Sequence, residues 1–440
     1  MIRKLLIGCI VALAGGLLPA AAQDSVRVWT LRGCLDYALE HNIRLQQSRN
    51  DQLSGIEDTK EARAALLPSL TASTSQGFTN YPSSNAADRN SYTGTYGIEA
   101  GLTLYNGGKL RTAVSRQKVQ NRIDQLTVEE TANDIRIAIV QAYMQCLYAM
   151  ESVTVSRSTA ETSAAQRDRA AGMLQEGAIN KVDYAQFESQ YASDAYQVVV
   201  ARTTLDNCLL QLKQLLELDI TDRMELSLPD VGETVVLTQL PAKESIYETA
   251  LEVMPQIARG ALSVEASELE IREAKAGFLP SLSLSAGIGT GYMSGGSFES
   301  GSQVWNRFNE NVGLTLSVPI FSNRRNRTAT NKARLAAANS RLTWLDLKKT
   351  LLEEVEGAYL DAVSAQSQYV AAVEKERYAR QSYELTSEQF AVGMKNTVEV
   401  LTAQNELTAA RQEVLQAKYM ALLNIELLNI YQGLDTNADY

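Results

Sequence analysis

The sequence predicts a mainly α-helical chain with a transmembrane β part, made of two copies of one unit of long helices and β-hairpins. Three observations predict this fold class. A helical apolar seam recurs after about 216 residues, a pair of period-two segments precedes each copy, and a glycine turn ends each long helix. A repeat of nearly half the 440 residues indicates an internal duplication.

The repeated seam is the clearest of these signals. Small or apolar residues alternate at steps of four and three across residues 128–153, and the pattern returns across residues 344–369 with one lapse, at Lys348. The sequence "QAYM" at residues 141–144 returns as "GAYL" at residues 357–360. The two copies therefore belong to equivalent long helices.

The N-terminus has the pattern of an export signal, predicted over residues 1–22. Two basic residues precede an apolar run, and an Ala-x-Ala cleavage motif follows at residues 20–22. The mature chain is expected to begin at Gln23, outside the cytoplasm. Lipidation at Cys9 is the less favoured alternative, because the apolar run before it is too short.

Composition excludes several classes of function. The formal net charge of −10 argues against a nucleic-acid partner. The patterns H-E-x-x-H, G-x-S-x-G, C-x-x-C and the P-loop are missing, and His41 is the only histidine. Cys34, Cys146 and Cys208 lack close spacing, and Cys146, which lies on the helical seam, is expected to be a small buried apolar residue and not a disulfide partner or metal ligand. We therefore expect no enzyme activity, no catalytic residue, no metal site and no cofactor.

Each copy begins with a short helix and a second helix that ends at a proline. The first copy predicts helices over residues 31–42 and 43–65, and the second copy begins near residues 242–255. Proline disfavours helical geometry in the residue before it, so Pro68 and Pro280, in the repeated sequence "LPSL", end these helices.

Two strand-like segments follow each proline, with apolar and small hydroxylated residues in alternation. Each segment is about 11 to 13 residues long, which suits outer-membrane strands. A soluble sandwich is less favoured, because the second face is small and hydroxylated instead of charged. The apolar positions are Leu70, Ala72, Thr74 and Phe78, then Tyr92, Tyr96, Ile98, Ala100, Leu102 and Leu104, then Leu282, Leu284, Ala286, Ile288 and Tyr292, and finally Phe308, Val312, Leu314, Leu316, Val318 and Ile320.

A long helix follows each strand pair. Residues 108–173 and 324–390 contain no proline and few glycines, so each helix is expected to run about 65 residues, or ~100 Å. A glycine turn ends each one, and helices resume over residues 181–218 and 397–431. The helix before the strands and the helix after the turn together match the long helix in length. We therefore expect them to stack end to end beside it.

These elements predict a domain order for the mature chain. A first structural repeat covers residues 23–218, and a polar connector at the middle of the helical body covers residues 219–241. A second repeat covers residues 242–432, and a C-terminal tail covers residues 433–440.

The strand number predicts an oligomer. Four strands cannot close a barrel, and an unpaired sheet edge in lipid costs several kcal/mol for each exposed polar group. The chain must therefore oligomerise if its strands lie in a membrane. A closed assembly places the hairpins at one end, with ~100 Å of helix projecting from the bilayer. Seams rich in alanine allow the helices to pack into a hollow tube.

The duplicated pattern of helix, hairpin and long helix resembles the TolC-like outer membrane efflux proteins. The resemblance lies in the "LPSL" strand starts, the "NGG" turn at residues 106–108, the "AY" pair in the long helix and the glycine turn at its far end, and it covers residues 31–433. It implies a homotrimer in the outer membrane of a Gram-negative bacterium, with a twelve-stranded β-barrel continued by a periplasmic α-helical barrel. It also implies a periplasmic adaptor (membrane fusion) protein and an inner-membrane pump as partners, and passive passage of exported solutes.

The same resemblance implies where function lies. The turns farthest from the membrane match the family's adaptor contact, at Gly177, Ala178, Gly393 and Met394. The positions associated with the closed periplasmic gate are Asp183, Phe390, Lys395, Glu399 and Thr402. Phe390 stands where the family often has a tyrosine, and Thr402 stands where it has a second acidic residue. The gate's hydrogen bonds are therefore expected to differ from those of the family, above all at Phe390, where a phenolic hydroxyl is missing.

Helix capping is an equally supported interpretation of the two acidic residues. In Asn180-x-x-Asp183 and Asn396-x-x-Glu399, the asparagine can accept a backbone N–H, and the acid lies in the first helical turn. Capping and gating are compatible. If the acids line a pore, threefold repetition predicts a constriction that favours cations.

The sequence thus predicts the outer-membrane channel subunit of a tripartite efflux system, in contact with outer-membrane lipid. Two alternatives stay open. One is the outer-membrane conduit of a type I protein secretion system, which the same fold serves. The other is a soluble periplasmic coiled-coil adaptor with its strands in a sandwich.

Overall fold

The computed structural model of the chain describes residues 27–82, 90–228, 232–294 and 300–434. The predicted export signal at residues 1–22, with Cys9, and most of the predicted tail at residues 433–440 lie outside these ranges. Across the described residues, none of the helices combines the length and the apolar character needed to cross a membrane.

The same order of elements occurs in both halves of the chain. The first half contains β1 (Arg27–Trp29), α1 (Leu31–His41), α2 (Ile43–Ala64), β2 (Ser69–Asn80), β3 (Asn90–Asn106), α3 (Lys109–Gln175) and α4 (Lys181–Leu215). A connector holds β4 (Met224–Leu226) and α5 (Glu233–Val236). The second half contains α6 (Lys243–Val253), α7 (Pro255–Ala276), β5 (Ser281–Met293), α8 (Ser300–Asn306), β6 (Asn309–Ser317), α9 (Arg325–Ala391) and α10 (Thr397–Tyr431). The predicted fold class, mainly helical with duplicated long helices and hairpins, is confirmed.

The long helices α3 and α9 have 67 residues each, which corresponds to about 100 Å. The shorter helices stack end to end beside them, as predicted. In the first half, the Asn42 side chain donates a hydrogen bond to the Leu215 carbonyl at 3.2 Å, which joins the start of α2 to the end of α4. In the second half, Gly433 lies so close to Val253 that an added Cβ would be 2.5 Å from a Val253 methyl.

The strands form one antiparallel sheet in the order β2-β3-β5-β6. The register places most of the predicted apolar positions on one face, except that a register shift at Leu104 puts Tyr105 opposite Leu282. For example, Leu102 pairs with Leu284, which pairs with Leu314, so a row of three leucines crosses the sheet. Within the described residues no second sheet covers this face, and Val312 is 80% exposed. The sandwich alternative is therefore not supported.

Two predicted strand lengths are wrong. The four strands have 12, 17, 13 and 9 residues, so β3 is longer and β6 shorter than expected. Strand β6 ends at Ser317, before the predicted positions Val318 and Ile320, because Pro319 has no N–H to continue the ladder. At its other end, Phe308 lies outside the strand.

Helix α8 lies where a longer β6 would pair with the last residue of β5, Met293. The Gln303 amide accepts a hydrogen bond from the Met293 N–H and donates one to the Met293 carbonyl, both at 3.0 Å. A side chain thus satisfies the two backbone groups that a neighbouring strand would otherwise pair. No local pattern in the sequence predicted this helix.

The lapse in the second seam has a structural cause. The Lys348 ammonium lies 3.7 Å from the centroid of the Trp344 ring, a cation–π contact. The Trp344 indole donates a hydrogen bond to the Ile257 carbonyl at 3.0 Å. An added Cβ on Gly260 would be 2.6 Å from the same ring, so this glycine gives the indole its space.

The connector packs against the middle of the long helices. Strand β1 pairs with β4 in parallel, and the Tyr143 hydroxyl donates to the Ser227 carbonyl at 3.2 Å. Tyr143, from the "QAYM" motif, is fully buried. The Gln366 amide donates to the carbonyls of Val236 and Thr238, both at 2.9 Å. Neither β1 nor β4 was predicted.

The main hydrophobic core lies at this level of the molecule. It contains Cys34, Cys146 and Cys208 together with Ile139 and Leu212. The three cysteines are buried, which was predicted for Cys146, and burial raises the pKa of the Cys146 thiol to about 12.

Candidate functional site

The two glycine turns have nearly the same backbone geometry. Gly177 and Gly393 have φ values of 78° and 77°, in the left-handed region that favours glycine. The Ala178 N–H donates to the Met173 carbonyl at 2.8 Å, and the Met394 N–H donates to the Gln389 carbonyl at 2.9 Å. These bonds close a Schellman motif at the end of each long helix.

An asparagine caps the helix that follows each turn. Asn180 accepts hydrogen bonds from the N–H groups of Val182 and Asp183 at 2.8 and 2.9 Å. Asn396 accepts from the Glu399 N–H at 2.9 Å, and the Glu399 carboxylate accepts from the Asn396 N–H at 3.0 Å. The second turn therefore has a complete capping box, and the first has only its asparagine half.

The two acidic residues have different surroundings. The Glu399 carboxylate forms a 2.5 Å ion pair with Lys395. The hydrogen bonds from Lys395 and from the Asn396 backbone hold the pKa of Glu399 below its ordinary value. None of the described residues donates a hydrogen bond to the Asp183 carboxylate, although its backbone N–H is capped. The Glu399 carboxylate is thus held by residues just before its helix, and the half-buried Asp183 has no such donor among the described residues.

Phe390 belongs to a small apolar cluster next to the two glycine turns. Its ring packs against Phe187 of α4, with centroids 5.6 Å apart and planes inclined at 59°. Ala170 of α3 and Val400 of α10 complete the buried cluster. Where a tyrosine would place a hydroxyl, Phe390 makes an apolar contact between the two halves of the chain.

The remaining predicted gate residue, Thr402, uses its hydroxyl within α10. It donates to the Val398 carbonyl at 2.8 Å. Among the described residues, it forms no hydrogen bond with Asp183. The sequence reasoning missed two residues near the turns. Phe187, one helical turn after Asp183, lies in the cluster of Phe390, and the Tyr383 hydroxyl of α9 accepts a 2.6 Å hydrogen bond from Gln166 of α3.

Apolar side chains are exposed around both turns. Met394 is 75% exposed and Val182 is 67% exposed. Val392 and Val398 are also exposed. An apolar patch at the tip of a long polar rod is a surface that a partner can cover. In the described part of the chain, no three His, Cys, Asp or Glu side chains are grouped as metal ligands.

Comparisons with known proteins agree with this architecture. A family model described as outer membrane efflux protein matches residues 34–217 and 246–431. The alkaline protease secretion protein AprF of Pseudomonas aeruginosa is 25% identical over 446 residues, covering 97% of this chain and 89% of AprF. The outer membrane protein TolC of Escherichia coli is 23% identical, covering 90% of this chain and 80% of TolC.

The fold also matches a solved structure. The crystal structure of the Campylobacter jejuni CmeC outer membrane channel has a TM-score of 0.78 and 20% identity, covering 92% of this chain and 86% of CmeC. The family model matches each half of the chain once and most of its length in total. The chain therefore belongs to the outer membrane efflux protein family, a family of outer-membrane channels and not of enzymes.

Proposed function

We propose that this chain is the outer-membrane subunit of a tripartite efflux system, and that three copies form one channel. The observation that carries the proposal is the four-stranded sheet, with an exposed apolar face, at one end of two 67-residue helices. Closure of three such sheets gives a barrel of twelve strands, and the helices continue it through the periplasm. Exported solutes pass through it passively, and the pump supplies the energy.

The free edges of the sheet support the trimer. Strands β2 and β6 each have one neighbour in the described sheet, and unpaired backbone groups are costly in lipid. Pairing β6 of one subunit with β2 of the next satisfies both edges. The described strands supply outward-facing apolar residues for contact with outer-membrane lipid.

The exposed patch at the turns supports adaptor docking. Gly177, Ala178, Gly393 and Met394 lie farthest from the sheet, and Met394 is largely exposed. In this proposal the turns receive the tips of a periplasmic adaptor, which links the channel to an inner-membrane pump.

The channel proposal has a direct test. The full-length protein is expected in the outer-membrane fraction as a species whose gel mobility changes on heating. In planar lipid bilayers, the purified protein is expected to give discrete conductance steps. Recovery in the soluble periplasmic fraction, with no conductance, would contradict the proposal.

We propose that Asp183 and Glu399 ring the periplasmic end of the pore, where Lys395 limits the free charge of Glu399. Glu399→Gln retains a side chain able to accept the Asn396 N–H but removes the ion pair with Lys395. We expect this variant to lower the preference for cations and to raise single-channel conductance. The measurement is reversal potential and conductance in planar bilayers under a salt gradient.

The matched control for this variant is Asn396→Ala, which removes the cap and keeps both charges. It is expected to cost about 1 kcal/mol of local helix stability and to leave cation preference unchanged. If Glu399→Gln and Asn396→Ala have the same electrical properties, the acidic residue acts only as a cap.

A second candidate function is the outer-membrane conduit of a type I protein secretion system. The observation that favours it is the similarity to AprF, a protein whose name assigns it to secretion of an alkaline protease. Deletion of the gene separates the two functions. Loss of a secreted protein from the culture medium, with unchanged sensitivity to toxic small molecules, would favour secretion.

A further inference from the structure

A buried carboxylate lies where three helices from both halves of the chain meet. Asp194 of α4 is 8% exposed. Ser163 of α3 donates a hydrogen bond to its Oδ2 atom. The Gln404 amide of α10 donates to the Ser163 hydroxyl at 2.6 Å and to Asp194 Oδ2 at 3.4 Å. Gln190, one turn earlier on α4, donates to Asp194 Oδ1 at 3.1 Å.

This carboxylate is held only by neutral donors. No Lys, Arg or His nitrogen in the described ranges forms an ion pair with Asp194, whereas the half-buried Glu151 has a lysine partner, Lys418, at 3.0 Å. A buried charge is costly unless hydrogen bonds replace its water. Since Ser163 and Gln404 come from different helices, both must be in place together. At a wider spacing of α3, α4 and α10 the carboxylate loses the donors Ser163 and Gln404 and keeps only Gln190, which lies on its own helix.

The position of the cluster relates it to the turns. Asp194 lies 11 residues beyond Asp183 on α4, which corresponds to about 16 Å along the helix. The apolar contact of Phe187 with Phe390 lies between the two levels. The cluster therefore joins the helix pair α3–α4 to the pair α9–α10 behind the tips, away from the surface that an adaptor would cover.

A cavity adjoins the cluster. Its volume is ≈ 380 Å³, and it is lined by Asp194, Thr159 and Thr408, among other residues of α3, α4 and α10. Among the described residues, the hydroxyl of Thr159 and the Oε1 atom of Gln404 are buried without a hydrogen-bond partner. Water that enters when the helix pairs separate can hydrate the carboxylate and these two oxygens. Water thus offsets part of the free energy that is lost when the hydrogen bonds from Ser163 and Gln404 break, and the remainder favours the spacing seen here.

We propose that Asp194, Ser163 and Gln404 form a latch that holds the two helix pairs at the spacing seen here and resists the wider spacing of an open channel, which makes Asp194 a positioning residue for the periplasmic end of the channel. The inference rests on the proposed channel function. It adds an interior contact that acts independently of the charged residues at the turns. Opening replaces the hydrogen bonds from Ser163 and Gln404 with water on the Asp194 carboxylate.

The first test changes the latch and measures the channel. Asp194→Ala is expected to raise the open-to-closed ratio in planar bilayers about tenfold, the value of one charge-assisted hydrogen bond. Gln404→Glu places a second carboxylate against Asp194 and is expected to open the channel further at neutral pH. Lowering the pH should reverse that effect, because two adjacent carboxylates then share a proton. Asp206→Asn, an exposed charge on the same helix, is the matched control and should leave the ratio unchanged.

A second variant covers the case in which Asp194→Ala does not fold. Ser163→Cys combined with Gln404→Cys places one thiol on each of the two helices, and a short bifunctional methanethiosulfonate reagent can bridge the two thiols through a disulfide at each end, with release of sulfinate. Cross-linking is expected to reduce opening, and a reductant is expected to restore it. A purely structural role would lower the melting temperature of Asp194→Ala without changing the open-to-closed ratio, and that result would overturn the latch. A cross-link that leaves opening unchanged would also overturn it.

The two proposals fail in different ways. Wild-type protein that forms no channel would overturn the proposed function and the latch with it. Wild-type protein that conducts, with Asp194→Ala and Gln404→Glu conducting identically, would overturn the latch alone.

Discussion

Replacing Leu314 with arginine is expected to abolish recovery of heat-modifiable trimers from the outer membrane. Leu314 lies in the row of three leucines on the apolar face and is 64% exposed. A lysine or arginine on the lipid face of a barrel costs about 2–4 kcal/mol at the bilayer midplane and less near the interfaces. A trimer repeats that cost three times. The measurement is the amount of heat-modifiable protein in fractionated membranes.

Thr315→Arg provides the matched control, since the neighbouring residue points to the opposite face of the same strand. Thr315 pairs with Ser283, within the small hydroxylated face. The variant is expected to insert normally and to shift ion preference toward anions. If Thr315→Arg blocks insertion and Leu314→Arg does not, the assignment of the two faces is reversed.

Removing the side chain of Tyr143 is expected to have the largest effect on stability in the helical part. Tyr143 is fully buried, and its hydroxyl holds the connector through the Ser227 carbonyl. Large aromatic residues replaced by alanine cost about 3–5 kcal/mol, and the carbonyl loses its partner. Tyr143→Ala is therefore expected to unfold at lower denaturant concentration. Denaturation of the purified protein, followed by circular dichroism, measures the change.

Tyr143→Phe removes the hydroxyl and keeps the ring. It is expected to lower the free energy of unfolding by about 1–2 kcal/mol. Its matched control is Tyr359→Phe at the equivalent position of the second repeat, where the side chain is only partly buried. Burial raises the pKa of Tyr143 above its ordinary value. The unfolded state therefore ionises first as the pH rises above about 10, which lowers wild-type stability. The difference in free energy of unfolding between wild type and Tyr143→Phe should therefore become smaller above about pH 10. A difference that becomes larger would contradict the raised pKa of Tyr143 in the folded state.

Local signals predicted the helices and their ends. Proline ends α2 near Pro68, Gly177 and Gly393 end the long helices, and the recurring seam relates α3 to α9. Each of these signals acts within a few residues of the chain. For the same reason they placed the start of α10 at Thr397 and its end at Tyr431.

Contacts between distant segments were not predictable in this way. Strand β1 exists because it pairs with β4, about 200 residues later, and three-residue strands have no local pattern. The predicted start of β6 at Phe308 was wrong, because the Gln303 side chain, and not a strand, hydrogen-bonds the Met293 backbone. No periodicity in the sequence reports such a side-chain contact.

For the candidate site, the sequence predicted which residues belong to the turns but not which residues from the other repeat they contact. The sequence identified Asn396 and Glu399 as a capping pair, and the structure has both hydrogen bonds. It did not identify Phe187 as the neighbour of Phe390, because that contact joins helices from different repeats. The roles assigned to Asp183 and to the residues of the turns stay predictions.

The end-to-end junctions have a mechanical consequence. Backbone hydrogen bonds run unbroken through α3 and α9, but the helices beside them are interrupted where Asn42 meets Leu215 and where Val253 meets Gly433. Stiffness against bending at that level depends on the long helices and on whatever bridges the gaps. Residues from the connector, including Val236, share one core with Leu45 and Leu212 beside the first junction. The connector thus packs across the first junction and is expected to stiffen the helical body against bending at that level.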